Sequence, residues 1–143
     1  MVNENWELLT LQQIVQRGVA CAESVSDLYS GPPGKCEDIR HAMNLARRFV
    51  DGDSLIKPEE ARSAATKARE ATLATSTLRH RESFYAGISA YRTALSTEVA
   101  IIAASLEHID FGVTYNPASL FRRDAVNMAQ QACEAALQAE SVH

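Results

Sequence analysis

The chain has 143 residues, of which 46% are hydrophobic and 22% charged, with a formal net charge of −4. These values describe one soluble globular domain spanning 1–143 and argue against general binding to nucleic acid phosphates. The most apolar run, Val99 to Leu106, is far short of the ~20 residues that cross a bilayer.

Met1 to Glu7 is acidic and polar, unlike a secretory signal. A first helix is expected to start near Asn3 to Asn5, with Leu11, Ile14, Val15, Gly18, Cys21, Ala22, Val25, Leu28 and Tyr29 on one face. Ser30-Gly31-Pro32-Pro33-Gly34 ends it, because proline lacks an amide donor and glycine tolerates a positive φ. A second helix follows over about Cys36 to Asp51, with Ile39, Ala42, Met43, Ala46, Phe49 and Val50 buried and Gly52 as its stop. Pro58-Glu59-Glu60 starts a third helix, since proline suits its first position and the acids suit its dipole. Ala61, Ala64, Ala65, Ala68 and Ala71 form one line along it. Alanine combines the best helix propensity with little bulk, so this line lets a neighbouring backbone come close.

The stretch 79–111 contains a single glycine, Gly87, and no proline. Phe84, Ile88, Tyr91, Leu95, Val99, Ile102, Leu106 and Ile109 recur at spacings of three and four, with a line of Ala86, Ala90, Ala94, Thr97, Ile101 and Ala104 beside them. The pattern predicts a central helix buried on more than one side, about 50 Å long, begun by Ser76 or Thr77 and closed by Gly112. Asn116-Pro117 opens a last helix, on which Leu120, Phe121, Ala125, Met128, Ala132, Ala135 and Ala136 face inward. No segment has the two-residue period of a strand. The expected fold is therefore an all-α, single-domain bundle of about five helices around the long central one.

Few chemistries survive this pattern. His41, His80, His108 and His143 have no histidine or cysteine partner at a ligand spacing on the same helix, so no metal site or cofactor is expected. The turn Gly31 to Lys35 lacks the spacing of a phosphate loop. The three cysteines, Cys21, Cys36 and Cys133, are odd in number and suit free thiols in a reducing cytoplasm; one Cys36–Cys133 bridge is the alternative. No nucleophile–base constellation is visible, so the chain reads as a non-enzyme.

Two charge groupings remain. Arg47-Arg48, Arg79-Arg81 and Arg122-Arg123 lie near helix ends and would hold an anionic ligand or nucleotide if they converged. Asp51, Asp53, Glu59 and Glu60 gather around one interhelix connection, where they complement a helix dipole or face a basic partner.

Val19-Ala20-Cys21-Ala22 with Leu28-Tyr29, then His41 to Phe49, then Ala61 to Ala71 resemble the alanine-rich, all-helical proteins encoded near bacterial polymorphic toxins and read as their immunity partners. The resemblance spans Val19 to Ala104 and rests on helix-packing patterns. Thr66-Lys67 stand where that group commonly carries a histidine, and no functional residue is transferred. It implies a cytoplasmic, immunity-type inhibitor of a protein partner. A phage-type inhibitor of bacterial defence has the same sequence character. Self-association through the small-residue lines is a further expectation.

Overall fold

Thr10 fixes where the first helix begins. Its hydroxyl accepts from the Gln13 N–H at 3.1 Å, and the Gln13 side-chain oxygen accepts from the Thr10 N–H at 2.8 Å. This reciprocal cap satisfies two otherwise orphaned donors, so α1 is Leu11–Val25. The start expected near Asn3 to Asn5 is corrected accordingly: Trp6–Leu8 form a separate 3-10 turn, with the Asn5 side chain accepting from the Glu7 N–H. A second 3-10 turn, Ser26–Leu28, follows α1, and Tyr29 lies beyond it. The computed structural model describes residues 5–75, 80–107, 109 and 116–142, with five α-helices and no strand among them.

α2 is Pro33–Val50, three residues longer at its start than expected because Pro33 occupies its first turn. α3 is Pro58–Leu73 and α5 is Pro117–Val142. Both begin at the prolines that the sequence marks, and the Asn116 side chain accepts from the Ala118 N–H at 3.1 Å. α4 is Arg81–Leu106, uninterrupted through Gly87. The rest of the expected 79–111 span, with Ser76, Thr77, Arg79, His108 and Gly112, lies outside the described residues or outside the helix.

α4 touches all four other helices. α3 runs antiparallel along one side of it, as the pairs Thr72/Gly87 and Arg62/Glu98 show. α5 runs antiparallel along the other side, through Ser89/Ala132 and Ser96/Ala125. α1 and α2 pack beneath this three-helix layer. Ile14, Val15, Val19, Val25 and Leu45 are fully buried there and supply the bulk of the core.

The inward side of α4 matches expectation in its small-residue line, where Ala86, Ala90, Ala94 and Thr97 are buried, and differs in its large one, where Phe84, Ile88, Tyr91, Leu95, Val99, Ile102 and Leu106 are only half-buried. Also buried, without being expected, are Ser83, Gly87, Ser89, Thr93, Ser96, Glu98, Ala100 and Ala103. Small side chains on α4 and the alanine line Ala125, Ala129, Ala132, Ala136 and Ala139 on α5 let the two backbones approach closely. A Cβ placed on Gly18 of α1 would meet Thr93 Oγ1 at 3.3 Å and the Ala129 backbone at 3.6 Å. Three helices therefore converge with almost no side-chain bulk between them.

The buried hydroxyls do not go unsatisfied. Ser89 and Ser96 donate across to the α5 carbonyls of Ala132 and Ala125, each at 2.8 Å. Thr93 and Thr97 donate back to Ser89 and Thr93 carbonyls of their own helix, each at 2.9 Å. A buried hydroxyl without a partner costs about 1–3 kcal/mol, whereas a paired one contributes roughly 1 kcal/mol net. The polar seam is thereby stabilising, and the two serine bonds, seven residues apart, fix the α4/α5 register.

Candidate protein-interaction site

Four of the carboxylates singled out from the sequence lie on or beside the α2–α3 connection, which is held by bonds at every step. Gly52, with φ of 93°, follows α2. The Gly52 N–H donates to the Phe49 carbonyl and the Asp53 N–H to the Arg48 carbonyl, each at 3.0 Å. This pair of bonds is a Schellman motif, in which only glycine adopts the left-handed position without strain. Asp53 then accepts from the Leu55 N–H at 2.9 Å and from Arg48 Nε at 3.0 Å. These bonds, the backbone one first, hold the Asp53 carboxyl below the usual carboxylate range. Glu60 accepts from the Lys57 N–H at 3.3 Å, and Pro58 starts α3.

Within this turn two adjacent aliphatic residues part ways. Ile56 is buried and anchors the connection to the core, while Leu55 is 80% exposed. Asp51, Glu59 and Glu60 are exposed near it. The result is a single apolar side chain held out from a hydrogen-bonded turn whose flanking residues include four carboxylates. The sequence marks the acids but gives no sign of which of Leu55 and Ile56 enters the core.

The arginine pairs are distributed over the surface. Arg47 on α2 hydrogen-bonds Glu23 of α1 and, at 3.1 Å, Asn44. The Glu23 bond raises the Arg47 pKa above its already high ordinary value. Arg48 faces the other way, toward Asp53 at 2.9 Å and Glu60 at 3.9 Å, so it is the counter-ion of the acidic turn. Arg122 reaches from α5 to the backbone carbonyls of Glu7, at 3.1 Å, and of Leu9. Its role is to tie the N-terminal segment down. Arg81 is exposed at the start of α4 and Arg123 is exposed on α5, whereas Arg79 lies outside the described residues. The structure brings Arg48 together with the acids and sends Arg47 and Arg122 to separate partners.

The cysteines also depart from expectation. Cys21 of α1 and Cys133 of α5 form a disulfide, with Cα atoms 5.0 Å apart, and Cys36 is the free cysteine. Neither three free thiols nor a Cys36–Cys133 bridge describes the molecule. The reason is geometric: α1 and α5 lie side by side along their lengths, from Leu9/Arg122 through Gly18/Ala129 to this pair.

A cleft of about 270 Å³ between α1 and α2 is lined in part by Glu23, Tyr29, Cys36, Arg40 and Arg47. Its polar groups are committed to structure. The Tyr29 hydroxyl donates to the Ala71 carbonyl at 2.7 Å, and the Cys36 thiol donates to the Gly31 carbonyl at 3.3 Å. Burial, followed by the nearby Cys36 and Asp38, pushes the Tyr29 pKa from 10.0 to about 12. A raised folded-state pKa gives stability that is complete below the unfolded value and is lost as pH climbs through the folded one. In an absorbance titration, one of the four tyrosines is therefore expected to ionise late, near pH 12, with the stability it contributes declining between about pH 10 and 12. Tyr29→Phe should abolish the late phase; four tyrosines ionising together near pH 10 in the folded protein would contradict this placement.

Among the described residues, no group of three or more His, Cys, Asp or Glu side chains is disposed to hold a metal ion. No described helix is long and apolar enough to cross a membrane. No family model, curated protein or solved structure matches the chain.

Proposed function

We propose that this chain is a non-enzymatic protein-binding module that inhibits a protein partner by covering it, in the manner of an immunity protein, and that the α2–α3 turn is its contact surface. The observation that carries this reading is Leu55, 80% exposed on a turn held by hydrogen bonds and bordered by Asp51, Asp53, Glu59 and Glu60. An apolar side chain within a polar, solvent-accessible rim is the layout of a protein interface. Its hydrogen-bonded backbone lowers the ordering cost of association. The carboxylates select a basic partner surface and speed the encounter with it. Arg48 neutralises part of the cluster and leaves it net acidic, because two cations, Arg48 and Lys57, stand against the four carboxylates.

The anionic-ligand alternative requires arginines turned toward one ligand, and Arg47, Arg48 and Arg122 instead have separate partners within the chain. A cytoplasmic setting, expected from the sequence, requires Cys21 and Cys133 to be held reduced there, since glutathione keeps ordinary cytoplasmic thiols unpaired.

The test is affinity capture from the native host with the immobilised chain, followed by titration of the main captured protein against variants. Leu55→Ala is expected to weaken binding at least tenfold, about 1.4 kcal/mol, and Glu59→Lys to weaken it further at low salt than at high salt. Leu55→Ala should melt like the parent, and Glu59→Lys slightly lower, because it puts a cation at the positive end of the α3 dipole. Recovery of no stoichiometric protein partner, or binding indifferent to both substitutions, would reject the proposed surface.

A further inference from the structure

A groove of about 720 Å³ opens between α1 and α5, and the Cys21–Cys133 bond lies in it. It shares no residue with the α2–α3 turn, and its chemistry is independent of the interaction proposed there. Both cysteines are half-buried, so solvent reaches the bond in the folded chain. The residues that line the groove beside them do not seal it. Ala20 and Ser24 of α1 are exposed and short, and the Ser24 hydroxyl is turned back to the Cys21 carbonyl at 2.6 Å. On the α5 side Ala136 carries only a methyl group, and Leu137 is 65% exposed. The volume falls in the range of roughly 300–1,000 Å³ that holds small ligands.

The helices keep their places without the bond. Gly18 of α1 packs against the Ala129 backbone, and Arg122 of α5 holds the Glu7 and Leu9 carbonyls. Cys21 and Cys133 therefore stay opposite each other when reduced. The third cysteine does not compete for them. Cys36 lines the separate cleft between α1 and α2, where its thiol donates to the Gly31 carbonyl at 3.3 Å. An attacking sulfur must come from outside the chain.

We infer that Cys21–Cys133 is a thiol-exchange site of the folded chain, reached by a small external thiol through this groove. The external thiolate attacks one sulfur of the bond. A new S–S bond forms, the Cys21–Cys133 bond breaks, and the displaced cysteine leaves as a thiolate that takes a proton from water. A second external thiolate then attacks the external sulfur of the mixed disulfide. The two external thiols leave joined as their own disulfide, having given up two electrons, and Cys21 and Cys133 end as thiols. Access of the thiolate to a sulfur governs such a reaction, and exposed disulfides are the labile ones. A bond sealed in the core exchanges only when the chain opens, which slows it by the folded-to-unfolded ratio, about a thousandfold or more. Run backward with a small disulfide as oxidant, the same steps restore the bond, because the two cysteines remain opposed. One fold thus carries two redox states that differ in stability and not in shape.

The test is the rate at which dithiothreitol reduces the intact, folded chain, read by alkylation of the released thiols and mass spectrometry. The rate is expected to rise in proportion to reductant with no plateau and to lie within about a hundredfold of that of the same chain unfolded in guanidinium. Helical circular dichroism should be retained throughout, and urea below the unfolding transition should leave the rate nearly unchanged. Ala20→Phe, a substitution at an exposed position of the groove, should slow reduction by about tenfold through loss of access and leave the Tm of the oxidised chain close to the parent's. If that variant folds poorly, the rate series on the parent decides alone. A rate that plateaus with reductant, lies about a thousandfold or more below that of the unfolded chain, or climbs with urea in step with unfolding would overturn the inference, since reduction would then wait for the chain to open. Collapse of the helical signal on reduction would overturn it as well. An Ala20→Phe chain that melts like the parent and is reduced as fast would count against the groove as the route.

Discussion

Gly87→Val is expected to cost about 4 kcal/mol of folding stability and Gly87→Ala about 2 kcal/mol, as overpacking of a site with no free volume. A Cβ at position 87 would lie 2.5 Å from Thr72 Oγ1, 3.1 Å from Thr72 Cβ and 3.2 Å from Thr72 Cα. Thr72 cannot swing aside: it is 1% exposed and its hydroxyl donates to the Ala68 carbonyl at 2.7 Å. Glycine is otherwise a poor choice inside a helix, by about 1 kcal/mol relative to alanine. The two effects oppose each other, and the steric one wins because part of the clash is with backbone. Relief then requires α3 to move away from α4. The double variant Gly87→Ala/Thr72→Ala should recover part of the loss, since it removes the nearest atom, the hydroxyl oxygen, while the crowding against the α3 backbone at position 72 persists. Chemical denaturation of the four proteins in the cycle gives the coupling directly. A Gly87→Ala variant more stable than the parent by the propensity increment would show that α3 and α4 lie farther apart than these distances.

The same close approach explains which parts of the fold were legible. Helix starts at Pro58 and at Asn116-Pro117, and the stop at Gly52, are local signals, and the structure uses each of them. Thr10 and Gln13 form an equally local signal, a capping box, but the apolar periodicity continues through it and places the start of α1 too early. The side of α4 that turns inward is not local information. Periodicity selects apolar lines as the core face, and it does so correctly for α1 and α2 at Ile14, Val15, Val25, Ile39, Met43 and Phe49 and for the small line of α4 at Ala86, Ala90 and Ala94, whereas Val19 and Leu45 are buried without being selected. On α4 the partners are alanine lines from α3 and α5, and against them only small residues allow close packing. The serines and threonines that look like surface residues are buried because each finds a carbonyl. At the candidate site, the cluster of acids was visible because it is contiguous in sequence. Leu55 was not, because its exposure depends on Ile56 taking the one available place in the core.

Reduction of Cys21–Cys133 is the second large effect. The bond joins positions 112 residues apart, and cross-linking a loop of about that length removes roughly 4 to 5 kcal/mol of unfolded-state entropy on the chain-closure model, with about 2–4 kcal/mol typical in practice. For a domain of this size each kcal/mol moves Tm by about 3 °C, so a reductant should lower Tm by roughly 10 °C. The native helix content at room temperature should survive. α1 and α5 remain joined by the close approach of Gly18 to Ala129 and by the Arg122 bonds to the Glu7 and Leu9 carbonyls. Cys36→Ser provides the control, because Cys36 stands outside the bridge and contributes one long thiol bond to Gly31; it should change Tm by no more than a few degrees. Cys21→Ser/Cys133→Ser should match the reduced parent and be insensitive to reductant. Thiol titration of the unfolded, unreduced chain should find one thiol. Finding three would mean that the bridge is not formed, and the reductant would then have nothing to destabilise.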